Sequence, residues 1–160
     1  MYEKRFSCAH TKTEAIVLNV LYPFMEEEVE ADLNECNFMS LSTDTSNHHD
    51  LKLVPVMVKY FMPYEGVKIK LLEFKELPGE TAKLISNHLK EDQNHLKHKV
   101  IAFGSDKTNS MMSKQGGKNN VLHLFKEDVG SDVIGIGCVA HIIHNTAQLI
   151  SSLMMFRQWL

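Results

Sequence analysis

The sequence is short of cysteine. Its three, Cys8, Cys36 and Cys138, are an odd number at wide spacing. That excludes a disulfide framework and points to a reducing compartment, so the reading is not a secreted protein. The opening residues Met1 to Phe6 lack the apolar stretch of a secretory signal. No run approaches the roughly 18 apolar residues of a membrane span, so no membrane partner is expected. There is no surplus of positive charge either: the formal net charge is -3. A free-standing nucleic-acid binder usually carries a basic surplus, so any such contact must come from a local patch. Internal repeats and low-complexity tracts are absent.

What remains is ordinary globular material. A chain of 160 residues with 44% hydrophobic and 23% charged residues can bury a real core. Residues 10–30 read as a helix: Thr11 or Thr13 can cap it, and Ala15, Ile16, Leu18, Val20 and Leu21 give it an apolar face up to Pro23. The acidic run Glu26-Glu27-Glu28 reads as a solvated helix face. Residues 1–35 are thus a helical lead-in, and 36–160 the main domain.

Three strands are predicted next, over 37–43, 51–62 and 67–75. Pro55 inside the second has no N–H for a ladder, which predicts an edge position or a bulge. In the third, Val67, Ile69 and Leu71 alternate with Lys68 and Lys70. Short connections make these three an antiparallel meander. A helix over 81–96 follows, with Ala82, Ile85, Leu89 and Leu96 inward. Then come a fourth strand ending at Ser105, a polar loop to Asn120, a short helix over 121–126, a fifth strand over 133–138 and a helix from Val139. His88, His95 and His98 read as solvated.

The chemistry gathers at two strand ends. The run Phe38-Met39-Ser40-Leu41-Ser42-Thr43 leads to Asp44 and then to a predicted polar loop, Thr45 to His49. The run Val100-Ile101-Ala102-Phe103-Gly104-Ser105 leads to Asp106. Carboxylates at the carboxyl ends of neighbouring strands sit where α/β proteins place ligands. Two of them together favour a divalent cation with oxygen ligands, Mg²⁺ or Mn²⁺. The competing reading is local, since an aspartate after a strand often serves a turn or cap. Cys138-x2-His141-x2-His144 offers three zinc-type ligands, but no Cys-x2-Cys partner completes a zinc site. A buried Cys138 with one histidine bonded at the helix start is the structural alternative. Residues 114–120, Lys-Gln-Gly-Gly-Lys-Asn-Asn, lack P-loop spacing and read as a mobile loop.

Together these stretches resemble the hAT-family transposases. The resemblance runs through Thr11–Ala15, Ser42–Asn47, Val54–Phe61, Leu72–Thr81, Ala102–Asp106 and Gly137–Asn145. It implies a ribonuclease H-like α/β fold: a mixed five-strand sheet, a three-strand meander plus two parallel strands, flanked by helices. It implies that Asp44 and Asp106 are the first two catalytic, metal-binding acids. It gives Cys138 and His141 a role in DNA handling and strand transfer, and suggests a nuclear or cytoplasmic location. The family's third acid, a glutamate, lies beyond a helical insertion, and this chain ends where that insertion should begin. Lys107 stands where the family has a small or amide residue. The expectation is a transposase-derived core, ancestrally a metal-dependent DNA-cleaving and DNA-joining enzyme, inactive as this chain alone. The alternatives are a domesticated, non-catalytic module that binds protein, DNA or a second copy, and an active nuclease borrowing Glu127 or Asp128.

Overall fold

Alternation over residues 51–77 builds one half of the sheet. The computed structural model describes residues 9–49, 51–91, 96–113, 117–130, 132–144 and 146–148. In it, β1 is Met39–Thr43, β2 Ser46–His48, β3 Leu51–Met62 and β4 Gly66–Leu77. β3 and β4 pair antiparallel from Lys52↔Leu77 to Met62↔Gly66. Gly66, at φ 85°, supplies the left-handed residue at the end of their turn. β1 lies antiparallel on the other edge of β3. β5 (Val100–Ser105) runs parallel to β1, and β6 (Ile134–Gly137) parallel to β5. Across the sheet the order is β4, β3, β1, β5, β6. The fold is α/β, with a mixed sheet and flanking helices.

The sheet has six strands rather than the five expected, because the predicted polar loop after Asp44 is partly strand. Thr43 pairs with Val56, and Ser46 pairs with Leu53 in the same running register. β1 and β2 are therefore one strand with a gap at Asp44 and Thr45. That register sets Asp44 opposite Pro55, which has no N–H to donate, so the ladder lapses there and then resumes. The edge position expected for Pro55 is not found, since β3 is an interior strand. A bulge is present in the neighbouring ladder, where the register shifts between Val56 and Met57 and leaves Leu72 as the extra residue of β4.

α3 (Ala82–Glu91) and α4 (Val121–Val129) cover one face of the sheet. Thr81 Oγ1 accepts from the Leu84 N–H at the start of α3, and Asn120 Oδ1 from the His123 N–H at the start of α4. The layer between helices and sheet is built of Leu41, Val54, Val56, Val58, Tyr60 and Phe103 from the strands and Ile85, Leu89 and Phe125 from the helices, all buried. Gly135 leaves room for Leu122, whose Cδ2 would be 2.5 Å from a Cβ at that position. The other face is uncovered by any described helix of this unit, and here the third strand departs from expectation. Val67, Ile69, Leu71 and Phe74 are more than half exposed, while Lys68 and Lys70 are the half-buried members of the alternation.

The chain divides into two units, residues 1–36 and 37–160. The first holds α1 (His10–Ile16), a π-helical stretch Val17–Leu21 and α2 (Tyr22–Glu35). Neither Thr11 nor Thr13 caps α1: the N-cap is Ala9, and Thr13 Oγ1 donates back to the Ala9 carbonyl at 3.1 Å. Pro23 does not end the helix. The preceding turn widens, with the Tyr22 N–H reaching the Val17 carbonyl, and the proline sits at the start of α2. Among the described residues no helix is long and apolar enough to cross a membrane.

Candidate functional site

The parallel strands end in one row. β1 and β5 pair Ser42 with Gly104, and two further steps in that register bring Asp44 level with Asp106. β5 and β6 pair Ser105 with Gly137, and one further step brings Asp106 level with Cys138. All three lie at the carboxyl end of the sheet, on neighbouring strands. Gly104 keeps the strands close just below them: a Cβ there would lie 3.1 Å from Ser42 Cβ. The gap opposite Pro55 gives Asp44 its place. It stands at a break in the strand, exposed, instead of inside a continuous ladder.

Asp106 is half-buried and oriented by its own loop. Its Oδ1 accepts from the Thr108 N–H at 3.3 Å and from Thr108 Oγ1 at 2.8 Å. The turn role and the ligand role therefore fall on one residue, and Oδ2 is the oxygen left for a cation.

Cys138 joins β6 to the next helical residues, 139–144. Its N–H donates to the Ser105 carbonyl at 2.8 Å, and its own carbonyl accepts from the Ile142 N–H at 3.1 Å. Cys138 is thus the N-cap, one helical turn from His141. It is half-buried, not buried as expected. The His141 backbone N–H facing the sulfur, and then the imidazole, hold its thiol below the ordinary range, against a smaller desolvation effect. The same thiol raises His141, and the carboxylates of Asp44 and Asp106 add to that. The imidazole thus lies within electrostatic reach of both aspartates.

This pairing has a chemical signature. Cys138 is expected to be alkylated by iodoacetamide with a pH midpoint below the ~8.5 of a free thiol. His141→Ala is expected to move that midpoint upward. Cys36, buried with its Sγ donating to the Leu33 carbonyl, serves as the slow internal control. Peptide mass spectrometry from pH 6 to 9 reads all three, and a Cys138 midpoint at the free-thiol value would remove the pairing.

Other candidates lie elsewhere. Glu127 is 3.3 Å from His123, and Asp128 pairs with Lys97 and, at 3.9 Å, with Lys90. Both acids sit on α4, which packs on the covered face, so neither joins the row. His144 is exposed. Among the described residues no group of three or more His, Cys, Asp or Glu side chains is placed to hold a metal. Of the 114–120 loop, residues 114–116 lie outside the described ones. Asn120 anchors the rest, donating to the Gly117 carbonyl at 2.9 Å while capping α4. His95 and Cys8 also lie outside the described residues. His88 is buried, contrary to expectation. Two contributors to the site escaped the sequence reading. Pro55 opposite Asp44 becomes visible only once strand register is known. Gly137, over which the Lys107 side chain lies, carries no signal until the neighbouring chain is placed. No family model matches the chain, and no curated protein matches it.

Proposed function

We propose that this chain is a ribonuclease H-like core of hAT-transposase type. Its Asp44 and Asp106 hold a divalent cation, Mg²⁺ or Mn²⁺, against a phosphodiester, and the chain alone binds DNA without cutting it. The observation that carries this reading is the parallel register of β1 on β5, which, continued two steps past Ser42 and Gly104, sets Asp44 level with Asp106. The strand order, with a meander on one side of β1 and two parallel strands on the other, agrees with it.

The donor set fits a hard cation. Asp44 and Asp106 would supply carboxylate oxygens, and Mg²⁺ keeps several waters of its own. Such an ion activates an attacking oxygen and stabilises a leaving one at phosphorus. Asp106 is held for this by Thr108. His141, raised by the Cys138 thiol and then by both aspartates, stands where its imidazole can exchange a proton near the reacting phosphate. No third acid among the described residues joins the pair, and two-carboxylate sites give weak retention and an incomplete general-base set.

The test is titration with Mn²⁺ followed by electron paramagnetic resonance, together with incubation of plasmid DNA with Mg²⁺ or Mn²⁺. The expected result is one weak Mn²⁺ site, weakened about tenfold or more by Asp44→Asn or Asp106→Asn, and intact plasmid. Mn²⁺ binding indifferent to both substitutions would refute the metal pair. Cleavage lost in Asp106→Asn would refute the inactivity. The open sheet face, with Val67, Ile69, Leu71 and Phe74 exposed, favours a second reading as a non-catalytic interaction module.

A further inference from the structure

Gly137 is the last residue of β6, directly before Cys138. A Cβ there would overlap the Lys107 side chain, with Cε nearest and Cγ and Cδ at 3.2 and 3.3 Å. The lysine leaves the end of β5, next to Asp106, and lays its stem across the end of the neighbouring strand. Gly135, two residues earlier, makes the same kind of room for the apolar Leu122. At Gly137 the space is filled by a stem that ends in charge, at the rim where Asp44, Asp106, Cys138 and His141 meet.

The ammonium is not neutralised there. Lys52, Lys68, Lys90 and Lys97 each reach a carboxylate. Lys107 is exposed, and among the described residues it has no ion pair, with Asp44 and Asp106 included. It therefore does not occupy the carboxylates that a cation would need. A stem laid along backbone also has less freedom to lose when its head engages a ligand than a lysine free in solvent.

We propose that Lys107, seated over Gly137, is a phosphate anchor that holds a nucleic-acid backbone against the Asp44–Asp106 row. This rests on the proposed nucleic-acid reading and names the residue that positions the strand. Lys107 bears on the phosphate as a point charge, through contacts blind to base sequence. In a chain without a basic surplus, one placed cation at the row supplies the local charge that the composition does not.

The experiment measures binding of a fluorescein-labelled mixed-sequence DNA duplex by anisotropy, in EDTA, across a salt series. Lys107→Met keeps an apolar stem over Gly137 and removes the charge. It is expected to weaken binding roughly fivefold and to reduce the slope of log K against log salt by about 0.9. Gly137→Ala keeps the charge and displaces the stem, and is expected to weaken binding in the same direction. Lys107→Arg is expected to bind as the unaltered chain does. Thermal unfolding of each variant separates loss of fold from loss of the anchor. If Lys107→Met and Gly137→Ala bind DNA like the unaltered chain, the anchor is wrong, while Mn²⁺ binding that depends on Asp106 leaves the metal reading standing. If the unaltered chain fails to bind the duplex at low salt, both the anchor and the nucleic-acid reading fall.

Discussion

Phe103→Ala is expected to lower the unfolding free energy by about 3–5 kcal/mol, the range for truncating a fully buried aromatic residue. Phe103 has no exposed surface. It sits between Leu41 on β1 and Gly135 on β6 in the register of the parallel strands. Its ring meets Phe125 of α4 at a centroid distance of 5.6 Å and a tilt of 37°, a geometry that adds to plain area burial. Gly135 itself has no side chain to fill the space the ring would vacate. Closing the cavity would need Leu41 or Leu122, which already lies over Gly135, to repack, or α4 to move. A domain of this size has about 5–15 kcal/mol to lose, so the variant would approach the unfolding threshold. Urea unfolding followed by circular dichroism reads the effect directly. A loss under about 1 kcal/mol would mean that α4 does not pack on the sheet through this ring. The expected loss also reaches the row, because Phe103 lies in the strand that carries Asp106.

The strands that set the row were legible because each is written in a simple code. Residues 51–62 match the predicted strand, and Ala82, Ile85, Leu89 and Leu96 are buried as predicted. The position of Asp44 and Asp106 at strand ends came from the same apolar runs. What stayed illegible depends on partners that a single strand does not contain. The alternation Val67, Ile69, Leu71 marks one face of β4 but not which face is covered. The helices lie over the lysine side, where long stems can bury their carbons and keep their heads wet. The gap at Asp44 needed Pro55 across the ladder. The Cys138–His141 pairing needed β6 to deliver the thiol to a helix start. In each case local sequence sets the element, and the neighbouring strand or helix decides what the element does.

The bulge at Leu72 sets up the second large effect. Beyond it the side chains of β4 change faces, so Glu73 falls opposite the buried Val56 while Leu71 lies opposite Met57. Glu73 is thereby aimed under α3, where His88 has only 1% of its side chain exposed. The His88 Nε2 lies 3.3 Å from the Val54 carbonyl, which can only accept, so that nitrogen carries a hydrogen. The His88 Nδ1 faces Glu73 Oε2 at 3.3 Å. One histidine thus bonds α3 to β3 and stands within ion-pair reach of β4. Its burial, where a solvated residue was expected, follows from its place one turn from Ile85 and beside Leu89 on the inward side of α3. His88→Leu is expected to cost about 2–4 kcal/mol, because it leaves a largely buried carboxylate against an apolar side chain. The 23% exposure of the Glu73 side chain keeps the cost below that of a fully buried pair. Replacing both partners, His88→Leu with Glu73→Leu, is expected to recover most of that loss, since an apolar pair of similar volume needs no partner charge. Urea unfolding of the two single variants and the double variant closes the cycle. Additive losses would show that the two residues act independently. A coupling of about 2 kcal/mol would show that Glu73 and His88 stabilise the fold as a pair.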